Sequence, residues 1–303
     1  MTIRAIDLFA GFGGFSTGAA AAGVDIVWAA NHWKLAVEVH KINHPDTTHV
    51  CQDLRQADWG TVPQYELLLA APACQGHSTA SQPRRRAYHD ALRATAWAVV
   101  DCADATEPRA IIVENVPSFT RWRLYPVWKD ALEKLGYHVA EHVLTASRYG
   151  VPQRRKRLFI TATREAPLRV VEPDVQEPAF GPCVDWDAGD WRPISTVTGN
   201  ARKRIDAGRE GIGERFLVQH VTGHKGLSLD EPLRTVTTAD QWGVVKGDLY
   251  RPLTLQENMR AMGFPDSYWY PEGIGRRQAI KGLGNAVCPP VATALVNQIS
   301  AVI

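Results

Sequence analysis

The stretch Asp7-Leu8-Phe9-Ala10-Gly11-Phe12-Gly13-Gly14-Phe15 decides the fold. Ile3–Phe9 reads as a buried strand, Gly11, Gly13 and Gly14 as a turn, and Phe15–Ala22 as an alanine-rich helix. Glycines let a backbone approach a ligand closely, and the helix start offers free N–H groups. The turn alone also suits any α/β domain. A dinucleotide fingerprint needs Gly or Ala where Ser16 stands, and an acid ending the second strand, where Trp28-Ala29-Ala30-Asn31-His32 has none. An NAD oxidoreductase is therefore disfavoured, and a P-loop lacks its lysine.

Outward from this unit, apolar runs at Ile26–Ala30, Leu67–Ala71, Ile111–Val113 and Leu158–Ala162 alternate with helical patterns at Leu35–Ile42, Ala91–Ala105 and Val127–Leu135. The alternation predicts a doubly wound α/β domain, a parallel sheet covered on both faces. From Arg164 to about Gly247 the chain turns rich in Pro, Gly, Trp and polar residues, with Phe216–Val221 and Thr235–Thr238 as short candidate strands. This reads as a smaller inserted domain. Thr254–Met262 and Pro290–Ile303 are helical again and return to the first domain. The expected division is 1–169, 170–250 and 251–303.

The 303 residues are 45% hydrophobic and 22% charged, which excludes disorder as the main state. No apolar run reaches the ~18 residues of a membrane span, and no secretory leader is visible. Net charge is only +2, but cations cluster. Arg148, Arg154, Arg155, Lys156, Arg157, Arg164 and Arg169 face one acid, Glu165, and Arg84, Arg85 and Arg86 form a second group. Arginine suits phosphate and base contacts, though genome composition alone can enrich it. Cysteines at 51, 74, 102, 183 and 288 are odd in number and lack CxxC spacing, so neither a disulfide framework nor a metal site is expected.

Three further segments carry chemistry. Cys74 follows the run Leu67–Ala71 in Ala71-Pro72-Ala73-Cys74-Gln75. A cysteine at the crevice end of a parallel strand can act as a thiolate, although a buried inert cysteine fits the same pattern. Ile111-Ile112-Val113-Glu114-Asn115 places a carboxylate at a strand end, as an acid or base or as a helix-capping group. In Gln153-Arg154-Arg155-Lys156-Arg157, Arg155 and Arg157 share one face of an extended segment, unless the run is simply solvated.

Taken in order, these segments resemble the cytosine-C5 DNA methyltransferase family. The glycine turn is similar to its S-adenosylmethionine loop, Pro72-Ala73-Cys74-Gln75 to its nucleophile loop, Glu114-Asn115-Val116 to its acidic element and Gln153 to Arg157 to its Gln-x-Arg-x-Arg. Arg251-Pro252-Leu253-Thr254 through Gly263-Phe264-Pro265 resembles the segment closing the variable region. Gly284-Asn285-Ala286-Val287 resembles the C-terminal cofactor motif. Six ordered blocks span almost the whole chain. Two positions depart: Ala73 replaces a second proline, and Asn31-His32-Trp33 lacks the acid that holds the cofactor ribose.

The resemblance implies S-adenosylmethionine as cofactor, held by Phe9, Ala10, Gly11, Gly13, Gly14, Asn31, His32, Trp33, Asp53, Leu54, Pro72, Asn285 and Ala286. Trp33 would stack on adenine and Asp53 accept its amino group. Cys74 would attack C6 of a flipped-out cytosine in double-stranded DNA, Glu114 act at N3, and Arg155 and Arg157 orient the base. Gln75, Ser78, Arg84, Arg85, Arg86 and Gln153 would contact DNA, and residues 170–250 would recognise the target. A cytoplasmic monomer with no membrane contact and a possible companion restriction endonuclease are expected. RNA methylation and a DNA-binding regulator with little catalysis are the competing readings.

Overall fold

The computed structural model describes residues 2–73 and 94–303. Strand β1 (Arg4–Leu8) leads through the glycine turn into α1 (Gly14–Ala21), followed by β2 (Asp25–Asn31), α2 (Lys34–Asn43), β3 (Thr48–Cys51) and β4 (Leu67–Ala70). After the undescribed segment come α3 (Trp97–Thr106), β5 (Ala110–Asn115), α4 (Tyr125–Lys134), β6 (His138–Thr145) and β7 (Lys156–Thr163). These strands form one sheet in the order β3-β2-β1-β4-β5-β7-β6. Its strand residues alternate between two cores. Ala5, Leu67, Leu69, Ala110 and Ile112 meet α1 and α2 on one face. Ile6, Leu68, Ala70, Ile111 and Val113 meet α3 and α4 on the other. This is the expected two-faced burial.

One expectation needs correction. The sheet is not wholly parallel, because β7 runs antiparallel to both β5 and β6. The β6–β7 connection is too short for a crossover helix, which returning in parallel requires.

A second, four-stranded antiparallel sheet has the order β8-β11-β10-β9, from β8 (Arg192–Pro193), β9 (Arg215–Gln219), β10 (Trp242–Lys246) and β11 (Leu249–Pro252). Helix α5 (Gly199–Gly211) packs on one face through Ile205 against Phe216, Val218 and Val245. Leu217, Trp242 and Val244 face the other way and join the core of the large sheet. Thr235–Thr238 is not a strand. Val236 N donates to Gln153 Oε1 at 2.7 Å and its carbonyl accepts from Arg155 at 3.0 Å, so side chains take the place of a partner strand.

The chain closes with α6 (Leu255–Met262), α7 (Arg276–Asn285) and α8 (Pro289–Ser300). Thr254 and Glu257 form a reciprocal capping box at the start of α6. Residues 276–300 are apolar enough to span a membrane by composition, but they form two helices, broken before Pro289, and are mostly buried. Helix α8 lies on α1, where Thr293 Oγ1 donates to the Gly18 carbonyl at 2.9 Å.

Candidate functional site

The strand order reverses between β1 and β4, so the crevice outside their carboxyl ends is the natural ligand site of such a sheet. The β1 end carries Phe9 at φ 60° and Gly11 at φ 55°. A phenylalanine in the left-handed region is strained by roughly 1–3 kcal/mol, which the fold around it must hold. Gly14 lets α1 touch the segment after α7: a Cβ there would sit 2.0 Å from the Val287 carbonyl oxygen. The fold thus brings the glycine turn, near the start of the chain, beside Asn285 and Ala286, near its end.

Beneath the turn, Asp7 is fully buried, and burial pushes its carboxyl up to about 7 against the hydrogen bonds from Ser16. Ser16 Oγ donates to Asp7 Oδ2 at 2.7 Å and lies 2.9 Å from His40 Nε2. His40 Nδ1 in turn lies 2.8 Å from His49 Nε2. Burial, reinforced by His44 and His49, holds His40 well below the usual imidazole range, so it is neutral. Sequence reasoning does not reach this buried support. Its one signal is the trio His40, His44 and His49 around the end of α2.

The other expected cofactor residues divide. His32 and Asn285 are exposed, Ala10 is half-buried, and Leu54 and Pro72 are buried. Asn31 Oδ1 accepts from Trp33 N at 2.9 Å. Two of these side chains already have protein partners. Trp33 is already stacked on Phe12, with ring centroids 5.6 Å apart, and the Lys281 ammonium lies 5.0 Å from its ring centre. Asp53 is held by Arg55, whose Nε lies 3.0 and 3.1 Å from its two oxygens. That hydrogen bonding keeps the Asp53 carboxyl below its usual range.

The second half of the site depends on β7 running backwards. Glu114 pairs with Phe159 and Asn115 with Leu158, so the residues leading into β7 lie at the edge where β4 and β5 end. Arg157 Nε reaches Glu114 Oε1 at 2.9 Å. Glu114, Arg155, Arg157, Phe159 and Cys288 line a small cavity there. Burial raises the Glu114 carboxyl above its ordinary value, opposed by Arg157 and then Arg155. A carboxyl that keeps its proton more readily, beside a fixed cation, is suited to donating a hydrogen bond or a proton.

Arg155 is placed differently from the expectation. Its Nη1 donates to Val236 O at 3.0 Å and its Nη2 to Gly284 O and Ala286 O at 2.9 and 3.1 Å. It ties the walls of the cavity together, whereas Arg157 faces the acid. Asn115, seen in the sequence only as part of a strand-end pair, donates to Pro72 O at 3.1 Å and accepts from Val116 N at 2.9 Å. It clamps the ends of β4 and β5 together.

Gln153, expected at DNA, is fully buried. Its amide donates to Ala261 O at 2.8 Å and accepts from Val236 N at 2.7 Å. It is a structural clamp with no amide group left for DNA. Cys74, Gln75, Ser78, Arg84, Arg85 and Arg86 lie outside the described residues. Among the described cysteines, burial pushes Cys102, Cys183 and Cys288 each up to about 11, so Cys288 lines the cavity as a neutral thiol.

Known proteins are similar to this chain in sequence and in architecture. The model of the family described as C-5 cytosine-specific DNA methylase matches residues 3–181 and 187–301. The Type II methyltransferase M.NlaX of Neisseria lactamica is 28% identical, over 98% of this chain and 96% of its own. M.SsoII of Shigella sonnei, also named a Type II methyltransferase, is 25% identical over 98% of this chain and 79% of its own. The solved structure of Spodoptera frugiperda DNMT2 superposes with a TM-score of 0.72 at 18% identity, covering 99% of this chain and 100% of that one.

Proposed function

The chain belongs to the C-5 cytosine-specific DNA methylase family and methylates C5 of cytosine in DNA with S-adenosylmethionine as donor; we propose that transfer passes through a covalent bond between Cys74 and C6 of the base. The observation that carries this proposal is the buried Glu114–Arg157 pair at the strand edge where Pro72 and Ala73 lead to Cys74.

The residues at the switch point fit the cofactor. Left-handed Phe9 and Gly11 open the backbone to close approach, and exposed His32 and Asn285 offer hydrogen bonds. Phe9, Ala10, Gly11, Gly13, Gly14, Asn31, His32, Trp33, Asp53, Leu54, Pro72, Asn285 and Ala286 would hold it, with Trp33 braced by Phe12 and Asp53 by Arg55. When bound, S-adenosylmethionine supplies an electrophilic methyl group.

Cytosine C5 is a weak nucleophile. In the proposed route the Cys74 thiolate forms a bond to C6, and the displaced electron pair moves through the ring. Glu114 passes its proton toward N3, and Arg157 stabilises the charge that remains on the carboxylate. C5 then gains the methyl carbon and loses its own proton to a base, and the C6–S bond breaks. C6 is reached only from the face of the ring, so the base leaves the duplex first. Residues 170–250 read the DNA sequence. The chain acts as a monomer in the cytoplasm, and its Type II relatives support a companion endonuclease blocked by the methylation.

Labelled methyl transfer from S-adenosylmethionine to unmethylated DNA, with bisulfite sequencing of the product, tests this reading. Label in DNA within one short sequence context is expected, and Cys74→Ser should abolish transfer while duplex binding persists. Label appearing only in RNA would change the substrate. Near wild-type turnover by Cys74→Ser would remove the covalent step.

A further inference from the structure

A second cleft lies far along the chain from the Glu114 cavity, on the small sheet. It measures about 300 Å³, room for on the order of ten waters. Helix α5 forms one wall with Asn200, Lys203 and Arg204, which the helical repeat sets on one face. The turn after β9 forms the other wall with Thr222, His224 and Lys225.

The cations of α5 are sorted by direction. Arg202 pairs with Asp206 at 2.7 Å, and Arg209 pairs with Asp248 at 2.9 Å. Lys203, Arg204 and Lys225, which line the cleft, have no ion-pair partner among the described residues, and no acid lines the cleft. Three uncompensated cations therefore face one space.

His224 braces the turn that forms the second wall. It is only 4% exposed, yet it lines the cleft. Its Nδ1 accepts from Gln219 N at 3.3 Å and from Gly226 N at 3.2 Å. An imidazole nitrogen that accepts carries no proton, so the ring proton sits on Nε2. Nε2, across the ring, is buried and has no partner among the described residues. Burial, with Arg234 and Arg204 nearby, lowers the ring pKa to about 4, so His224 is a neutral N–H donor at neutral pH. The ring also packs against Trp242, with centroids 5.7 Å apart at 87°, so it fixes the turn that carries Lys225.

We infer that this cleft clamps one backbone phosphate of the DNA substrate, with Lys203, Arg204 and Lys225 supplying charge and His224 fixing the turn that carries Lys225. A phosphodiester is anionic and offers only acceptors, which matches three cations. A guanine edge also offers acceptors but is neutral and would leave the cations uncompensated. The inference rests on the DNA-methylation reading and gives the cleft an anchoring role rather than a base-reading one.

The test is duplex binding by the full chain, read by fluorescence anisotropy across a salt series, with Lys203→Ala and Lys225→Ala as variants. If the cleft holds a phosphate, each variant binds duplexes with and without the methylated sequence more weakly, by the same factor. The slope of log affinity against log salt also becomes shallower by about 1 for each cation removed, and the methylated context is retained. An unchanged slope, or a relaxed sequence context with the slope intact, overturns the inference. His224→Phe strips the acceptor from two backbone N–H groups, so the turn is better followed in the intact protein. The backbone amide resonance of Lys225 should move with duplex DNA. Movement with inorganic phosphate but not with duplex DNA would assign the cleft to a free anion and overturn the inference. Absence of methyl transfer by the wild-type chain would instead defeat the functional reading, and the salt slope reports independently of it.

Discussion

Glu114 and Asp7 are both buried carboxyls with raised pKa, but only Glu114 has a cation against it. Glu114→Gln keeps the shape and removes the transferable proton. Its single-turnover methylation rate should fall by ~10²–10⁴, while duplex binding stays close to wild type. A rate near wild type would take Glu114 out of the chemistry. Asp7 predicts a pH effect on stability. Its native pKa of about 7 lies above the ordinary 3.8, so between those values the folded chain holds a proton that the unfolded chain has lost. Stability therefore falls as pH rises through this window, by on the order of 4 kcal/mol when complete. Asp7→Asn should gain stability relative to wild type as urea unfolding is moved from pH 5 to pH 8; a difference flat in pH would refute the raised carboxyl. The position of Glu114 is legible in the sequence because strand ends mark the crevice of a parallel sheet. Gln153 is not, because it adjoins a basic run, and nothing in sequence distinguishes a solvated run from one whose first residue is enclosed by Val236 and Ala261.

Among the elements, α6 is held by an unusually central acid. Glu257 takes Arg251 Nη1 and Nη2 at 2.7 and 2.8 Å, Asp185 N at 2.8 Å and Thr254 N at 2.7 Å. Arg251 and Glu257 are both fully buried. Removing one partner strands the other as a buried charge, at a cost of about 3–5 kcal/mol. Glu257→Ala should lower the urea unfolding free energy by that amount, and a change under about 1 kcal/mol would show the pair is not central. The capping box behind this helix is readable as Thr254 to Glu257. Strand β6 is not readable, because its burial alternates weakly along His138–Thr145 and the sequence shows no apolar run there. The small sheet is legible mainly through β9. Its partners β10 and β11 depend on pairing across the sheet, which local periodicity does not report.

At the scale of the molecule, the two sheets share one apolar core, yet the proposed reader segment 170–250 contributes none of the strands of the large sheet. Exchanging it for the matching stretch of a relative with another target should move the methylated sequence and leave S-adenosylmethionine affinity, read by calorimetry, within a few-fold. Lost cofactor binding in a folded exchange protein would show that the segment also builds the cofactor crevice. The α1–α8 contact has a consequence in time. The hydrogen bond from Thr293 to Gly18 joins residues 275 positions apart. At about 5–20 residues per second, a ribosome needs roughly 15–55 s to get from one to the other. Throughout that interval the glycine turn has emerged without the helix that packs against it. The α1 side of the cofactor crevice is therefore completed in one late step, when α8 reaches α1, rather than by degrees.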